Sequence, residues 1–181
     1  MSQNRLRASL YELKNVRSLT LCALLIAIHV LLNMFSFYVA GVIKVSFTYL
    51  ALALIALLFG PVTAAFSGMV CEIVGYMLNS VGAYHPGFTL TTMLTGFVMG
   101  LFFYKREIKI WRIAVARLIV NLFFNIGINT IWVMQTVGKA YMALLPGRLW
   151  KNLVLLPVEI LLIYLVFKAV SSVQKRYFPN K

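Results

Sequence analysis

The sequence predicts an all-α membrane protein of six transmembrane helices with both termini in the cytoplasm. Three observations predict it. Sixty-two per cent of the 181 residues are hydrophobic and only 12 per cent are charged. The mean hydropathy is +0.90. The positive charges gather in the short segments between apolar runs. Soluble domains carry about 25 per cent charged residues, and a soluble fold of this length has no interior large enough to hide so much apolar surface. A bilayer accepts such side chains on the outside of the fold.

A helix needs about 20 residues to cross the hydrocarbon. Six segments approach that length: Ser18–Tyr38, Val45–Phe59, Val62–Asn79, Thr89–Tyr104, Trp111–Met134 and Arg148–Lys168. Gly60-Pro61 leaves room only for a hairpin between the second and third. Gly82, Pro86 and Gly87 break the third from the fourth. Gly138 and Pro146-Gly147 bracket a loop before the sixth. The whole chain, 1–181, reads as a single transmembrane domain, with 1–17 a cytoplasmic segment and 169–181 a cytoplasmic tail. The apolar run from Ser18 is too long for a secretory signal and lacks a small-residue cleavage site.

The net charge of +13 comes from 17 Lys and Arg against four acids. Nucleic acid is one partner such a balance suggests. The placement favours the positive-inside rule and anionic headgroups instead. Arg5, Arg7, Lys14 and Arg17 precede the first span, Lys105, Arg106, Lys109 and Arg112 follow the fourth, and Lys168, Lys175, Arg176 and Lys181 follow the sixth. All twelve fall on one side, which makes it the cytoplasm. Lys44, Lys139, Arg148 and Lys151 fall toward the other. Lys44, Arg148 and Lys151 sit at outer ends of spans, and two readings are open for them: snorkelling to headgroups, or meeting an anionic ligand that arrives from outside.

Polar side chains inside spans face other helices or a cavity. Asn121, Asn125 and Asn129 are four apart and share one face of the fifth span. Arg148, Lys151, Asn152 and Glu159 follow one side of the sixth, and Glu72, Tyr76 and Asn79 one side of the third. Interhelical hydrogen bonding explains such stripes, Asn121 above all. A shared outer pocket explains them as well, because Asn125, Asn129 and Asn152 lie at one depth with the two cations. Glu72 and Glu159 either pair with cations, stay protonated, or accept hydrogen bonds from ligand N–H groups, with Glu72 the better placed for the last. The aromatics of the 82–88 loop suit stacking on a flat ring. His85 there is exposed, a ligand contact or a pH switch, and His29 reads as a packed polar residue.

Cys22 and Cys71 lie in apolar runs and have neither metal nor disulfide spacing. No Walker A, HExxH or GxSxG is present, so nucleotide hydrolysis, zinc proteolysis and serine hydrolysis are not expected. No metal or cofactor is expected. Ala23 and Ala27 form one small-residue step, and Gly96 and Gly100 another. Such steps let helices approach closely.

Three stretches carry a family resemblance: IKVSFTYLALALIALLFGP at 43–61, GAYHPGFTLTTMLTGFVMGLFFYK at 82–105 and LLPGRLWKNLVLLP at 144–157. With them the chain, from Thr20 to Lys168, resembles the folate-specific S component of energy-coupling factor (ECF) vitamin transporters. The resemblance implies six helices and an outer substrate pocket that the first loop and the loop after the third helix help close. It also implies import by toppling, together with a transmembrane coupling subunit and two ATPase subunits that hydrolyse the ATP. Ala23 and Ala27 match the family's docking signature. Tyr84, Pro86, Gly87, Phe88 and Thr89 match its outer-loop motif, and Arg148, Lys151 and Asn152 its sixth-helix motif. Glu72 stands where relatives often carry Asp, and His85 where the pattern has an aromatic. Folate fits the residues independently: N–H donors for a carboxylate or amide, an aromatic body, and an anionic tail for Arg or Lys. An S component for another pterin or a queuosine precursor is the alternative. A membrane-embedded enzyme would show a nucleophile or metal set, and a purely structural protein would lack the outer polar stripes.

Overall fold

Hydrocarbon offers no partner to a backbone N–H or C=O, so a chain that spans it closes its own hydrogen bonds, and helices do so within one segment. The computed structural model describes residues 7, 9–11, 15–39, 43–78, 84–138 and 141–177, and these are almost entirely helical. Arg5, Lys14, Asn79, Gly82, Lys139 and Lys181 lie outside the described residues. Helix α1 spans Val16–Met34, with Asn15 as its cap: the Asn15 Oδ1 accepts from Arg17 N at 3.1 Å. A short antiparallel pair follows, β1 (Phe37–Val39) with β2 (Ile43–Val45), in the register Phe37↔Val45. Then come α2 (Thr48–Leu78), α3 (Pro86–Phe103) and α4 (Ile110–Ile119). A π-helical segment, Val120–Ile128, leads into α5 (Asn129–Val137), and α6 runs from Tyr141 to Tyr177. Among the described residues, five helices are long and apolar enough to cross a membrane.

Element boundaries differ from the sequence expectation: the first span ends at Met34, so that Tyr38 falls in β1, and Val45 falls in β2. The second and third expected spans form one element, α2, broken only at Gly60, whose φ of 86° and ψ of −177° leave the helical region. The fourth begins at Pro86 rather than Thr89, because proline is at home in the first helical turn and His85 caps it. The fifth is divided by the π segment. The sixth begins at Tyr141, so Pro146-Gly147 lies inside a helix and not in a loop, and it continues past Lys168. Proline is tolerated inside membrane helices because neighbouring groups satisfy the freed backbone atoms.

The break at Gly60 is stapled by a distant side chain. Ser9 Oγ donates to the Phe59 carbonyl at 2.7 Å and accepts from the amides of Val62 and Thr63, both at 3.2 Å. Thr63 Oγ1 in turn donates to the Ser9 carbonyl at 3.0 Å. A left-handed φ favours glycine, and here space does too: a Cβ on Gly60 would lie 2.9 Å from Ser9 Cβ and 3.0 Å from the Tyr104 ring. The chain reverses at this point. Tyr49 lies under Arg117 of α4, while Leu57 shares a cleft with Phe103 and Arg106. The arm 48–59 therefore runs toward the 104–109 turn, and the arm 61–78 runs back to Tyr84, whose ring is 5.0 Å from that of Tyr76.

Without a water-driven hydrophobic effect between helices, close packing and interhelical hydrogen bonds hold the bundle. The centre is α2: its most apolar span is 67% buried, against 17% for α1 and for α6. Ala51, Ala53, Ala56 and Ala64 present small surfaces there. Gly96 and Gly100 of α3 lie on the backbone of α2 at Ala64 and Pro61, with no room for a Cβ at either. At the turn after α3, Lys109 Nζ is 2.9 Å from Glu107 Oε2 and holds that carboxyl below its ordinary range.

One ion pair sits inside the bundle. Arg117 of α4 and Glu159 of α6 are paired, with side chains only 3% and 10% exposed. Arg117 Nε donates to Glu159 Oε2 at 3.1 Å, Asn121 Nδ2 donates to the same oxygen at 3.1 Å, and the guanidinium stands 4.8 Å from the Tyr49 ring centre. Removing one member strands the other's charge in a dry interior, at a cost of about 3–5 kcal/mol. Arg117→Met and Glu159→Leu should each destabilise the purified protein by about that amount in detergent unfolding curves. The double variant should recover most of the loss. A loss in the double variant equal to the sum of the two single losses would show that the charges are not coupled.

Candidate ligand-binding site

Three groups of polar and aromatic side chains line the end of the bundle away from the 104–109 turn. The first lies between the π segment and α6. The π geometry is visible at its end, where the Asn129 amide bonds Phe124 O, five residues back; π turns of this kind recur at functional sites. Asn125 Nδ2 donates to Asn121 Oδ1 at 2.7 Å, and Arg148 Nη1 donates to the Asn125 carbonyl at 3.4 Å. Asn152, buried, donates through Nδ2 to the Arg148 carbonyl at 2.9 Å. Lys151 is half-buried beside them in sequence. Among the described residues, two buried atoms of this group have no hydrogen-bond partner: Arg148 Nε and Asn129 Oδ1. An unpaired buried polar atom costs about 1–3 kcal/mol, so native interiors rarely keep one without a use.

The second group joins the start of α3 to α5. His85 Nδ1 accepts from the Gly87 amide at 3.0 Å and so caps the helix. Its ring stacks on Trp132 with centroids 4.9 Å apart and planes 26° from parallel, and it meets Phe88 edge-on at 6.1 Å. Trp132 Nε1 donates to Thr91 Oγ1 at 3.1 Å, and Gly87 lies directly against the indole, leaving no room for a Cβ. Pro86 is exposed at the first helical position.

The third group joins α2 to α3. Thr92 Oγ1 donates to Glu72 Oε2 at 3.1 Å. Tyr84 pairs its ring with Tyr76, and its hydroxyl is 2.6 Å from Thr89 Oγ1. Thr91 and Thr92 are neighbours on α3, so the second and third groups share a wall. Asn129 and Trp132 are one turn apart, which links the second group to the first.

This arrangement suits a ligand with a charged end and a flat aromatic end. Residues 17–167 match the family of substrate-specific components of ECF transporters. The chain belongs to that family. It is 29% identical over 162 residues to the folate transporter FolT of Clostridium novyi (strain NT), covering 90% of this chain and 94% of that protein. It is 28% identical over 184 residues to FolT of Leuconostoc mesenteroides subsp. mesenteroides, covering 97% and 99% respectively. A crystal structure of FolT bound with folic acid matches it with a TM-score of 0.78 and 31% identity, over 83% of this chain and 92% of that one. As an S component the chain is a multi-pass transport protein and not an enzyme.

Within this S component the structure brings Arg148, Asn125 and Asn152 together, groups His85, Gly87 and Phe88 around Trp132, and sets Glu72 and Tyr84 on the wall beyond. Ala23 and Ala27 stand apart from all three, exposed on α1. Asn121 belongs to the ion-pair network behind the first group, as hydrogen-bonding glue. His85 is neither simply exposed nor free at Nδ1, since its ring is stacked and that nitrogen is spent on the cap. Trp132 and Arg117 are the residues that sequence reading passed over. Trp132 continues the 121–125–129 stripe by three residues, a signal that was available. Arg117 lies deep in the fifth span, apart from the clustered cations, and its partner is 42 residues away in the chain.

Proposed function

We propose that this chain is the folate-binding subunit of an ATP-driven ECF-type importer in a prokaryotic plasma membrane. It captures folate on the outer side and releases it inside in complex with a transmembrane coupling subunit and two ATPase subunits. The observation that carries the reading is the pair of unpartnered buried atoms, Arg148 Nε and Asn129 Oδ1. One is a cationic donor and the other an acceptor, the two polarities needed for a glutamate tail and a pterin edge, in a chain whose FolT relative was crystallised with folic acid.

Arg148 or Lys151 pairs with the ligand carboxylates, and Glu72 or one of Asn125, Asn129 and Asn152 with the pterin edge. Tyr84, His85, Pro86, Gly87 and Phe88 shape the aromatic wall. A hydrogen bond to a charged partner contributes about 1.5–3 kcal/mol, and about 1.4 kcal/mol is tenfold in affinity. Arg148→Ala should therefore weaken folate binding by about tenfold to a hundredfold in titrations of the purified subunit, and hardly affect a pterin without the glutamate tail. Glu72→Gln should weaken both. Equal losses for folate and the tail-less pterin in folded Arg148→Ala would assign the carboxylate end elsewhere.

Six spans in one transmembrane domain, with both termini cytoplasmic, are supported by the reversal at Gly60 when each arm of α2 is taken as a crossing of its own. The twelve clustered cations point the same way. Cysteine labelling of intact cells should reach a Gln135→Cys variant from outside and a Lys109→Cys variant only after permeabilisation. The opposite pattern would invert the orientation.

Coupling falls to α1, which is the least covered helix together with α6 and turns Ala23 and Ala27 outward. Small exposed side chains at this spacing admit a partner helix. Ala27→Trp should abolish folate uptake by the assembled transporter while leaving folate affinity of the isolated subunit unchanged. Loss of affinity in the isolated variant would move this face into the pocket or the folding core.

A further inference from the structure

The polar chain behind the first group has a chemical direction. Glu159 Oε2 accepts from Arg117 Nε at 3.1 Å and is ion-paired with Arg117 Nη2, so this oxygen acts as an acceptor. Asn121 therefore turns its NH2 toward it, at 3.1 Å. That leaves Asn121 Oδ1 to face Arg117 Nη2 at 3.5 Å and Asn125 at 2.7 Å, and both neighbours must donate. Arginine donates in any case. Asn125 does so only with its Nδ2 turned inward; the flipped amide would set two carbonyl oxygens against each other at hydrogen-bonding distance. One Nδ2 hydrogen of Asn125 is thereby spent inward, and its oxygen is left as the acceptor for the pocket. Asn152 arrives at the same state by a shorter route, since its Nδ2 donates to the Arg148 carbonyl at 2.9 Å and its oxygen is left over. Each step is forced by an acceptor atom, so the order stands without telling amide nitrogen from oxygen directly.

We infer that Glu159 is a specificity-determining positioning residue: through Asn121 it locks Asn125 as an acceptor, so the wall made by Asn125 and Asn152 selects a hydrogen-bond donor edge on the ligand and rejects an acceptor edge. The inference rests on the folate reading in one respect, that Asn125 borders the pocket. It adds the polarity of that border and the buried ion pair as its source. A neutral amide with no such backing turns to suit either polarity and discriminates poorly, whereas one whose rotation would break a chain of buried bonds does not turn.

Pterin and lumazine test it: the 2-amino group of pterin, a donor, is a carbonyl acceptor in lumazine, and N1, an acceptor in pterin, carries a hydrogen in lumazine, so the edge reverses polarity at both atoms. In competition with labelled folate on the purified subunit, the wild type should bind pterin at least about tenfold more tightly than lumazine, the scale of one mismatched buried hydrogen bond. Asn121→Ala unlocks Asn125 while leaving both charges paired, and should shrink the preference to about threefold or less, with folate still bound. Should Asn121→Ala fail to fold, Arg117→Met/Glu159→Gln serves instead, because a glutamine at 159 presents either polarity and removes the direction of the chain. A purely structural role for the network would lower stability and leave the ratio of the two affinities alone. An unchanged ratio in a folded variant overturns the inference and leaves the folate reading standing, as does a wild type that binds folate without preferring pterin. A wild type that binds no folate overturns both.

Discussion

The ion pair between Arg117 and Glu159 is the point at which separate parts of the chain become one object. Glu159 belongs to α6, Arg117 to α4, Asn121 to the π segment, and Tyr49, under the guanidinium, to the first arm of α2. Hydrocarbon between these helices would give each of them equal apolar company, so apolar packing alone does not choose their register. A buried carboxylate does. It is stable only where the donors converge, and a shift of either helix by one turn would leave it bare. Such a pair contributes little net stability against an apolar substitute of similar shape. Its value lies in specifying one arrangement among several that are equally greasy.

Backbone conformations complete that specification. Gly60 reverses α2 through a left-handed φ, and the polar groups exposed by the break go to Ser9, which acts as acceptor for two amides and donor to one carbonyl. Beyond the reversal, Gly96 and Gly100 let α3 lie on the α2 backbone at Ala64 and Pro61, closer than any side chain would permit. This tight pair is the rigid wall from which Glu72, Thr91 and Thr92 project. The opposite wall is less regular. The π segment carries Asn121 and Asn125 on one face, tied to the ion pair at one end and ending at Asn129 on the other.

Much of this was legible in the sequence, and for one physical reason: a polar residue in an apolar run is costly, so its presence and its spacing carry information. The 121–125–129 stripe, Arg148 with Asn152, and Glu72 were found that way, and the first two meet as the spacing implied. Long-range pairings were not legible. Nothing local to Arg117 announces Glu159, and nothing near Ser9 announces the break it staples some fifty residues on. Proline also misled. Pro146-Gly147 reads as a loop by the rules of water, where the freed backbone groups and the missing amide would end a helix. In a bundle those groups find other partners, and α6 passes through. Trp132 stands at the next position of the stripe, but a large aromatic in an apolar run carries no such cost, so its spacing alone does not mark it. The structure gives it a hydroxyl partner and a histidine to stack on.

The two ends of the same polar column differ in how completely they are satisfied, and the proposed function rests on that difference. At the inner end every group around Glu159 Oε2 is engaged, and the donors are held by the charge they serve. At the outer end Arg148 Nε and Asn129 Oδ1 are buried without a partner. A protein that left both ends open would be unstable, and one that closed both would have nothing to offer a ligand. Rigidity generated at the inner pair is transmitted outward through Asn121 to Asn125, a chain of short side chains with few rotamers to lose. The outer groups are thereby held in place before any ligand arrives, which lowers the ordering cost that binding would otherwise carry. On the proposed reading the column is a scaffold at its base and a recognition surface at its mouth, and a single sequence stripe on the fifth span encodes both.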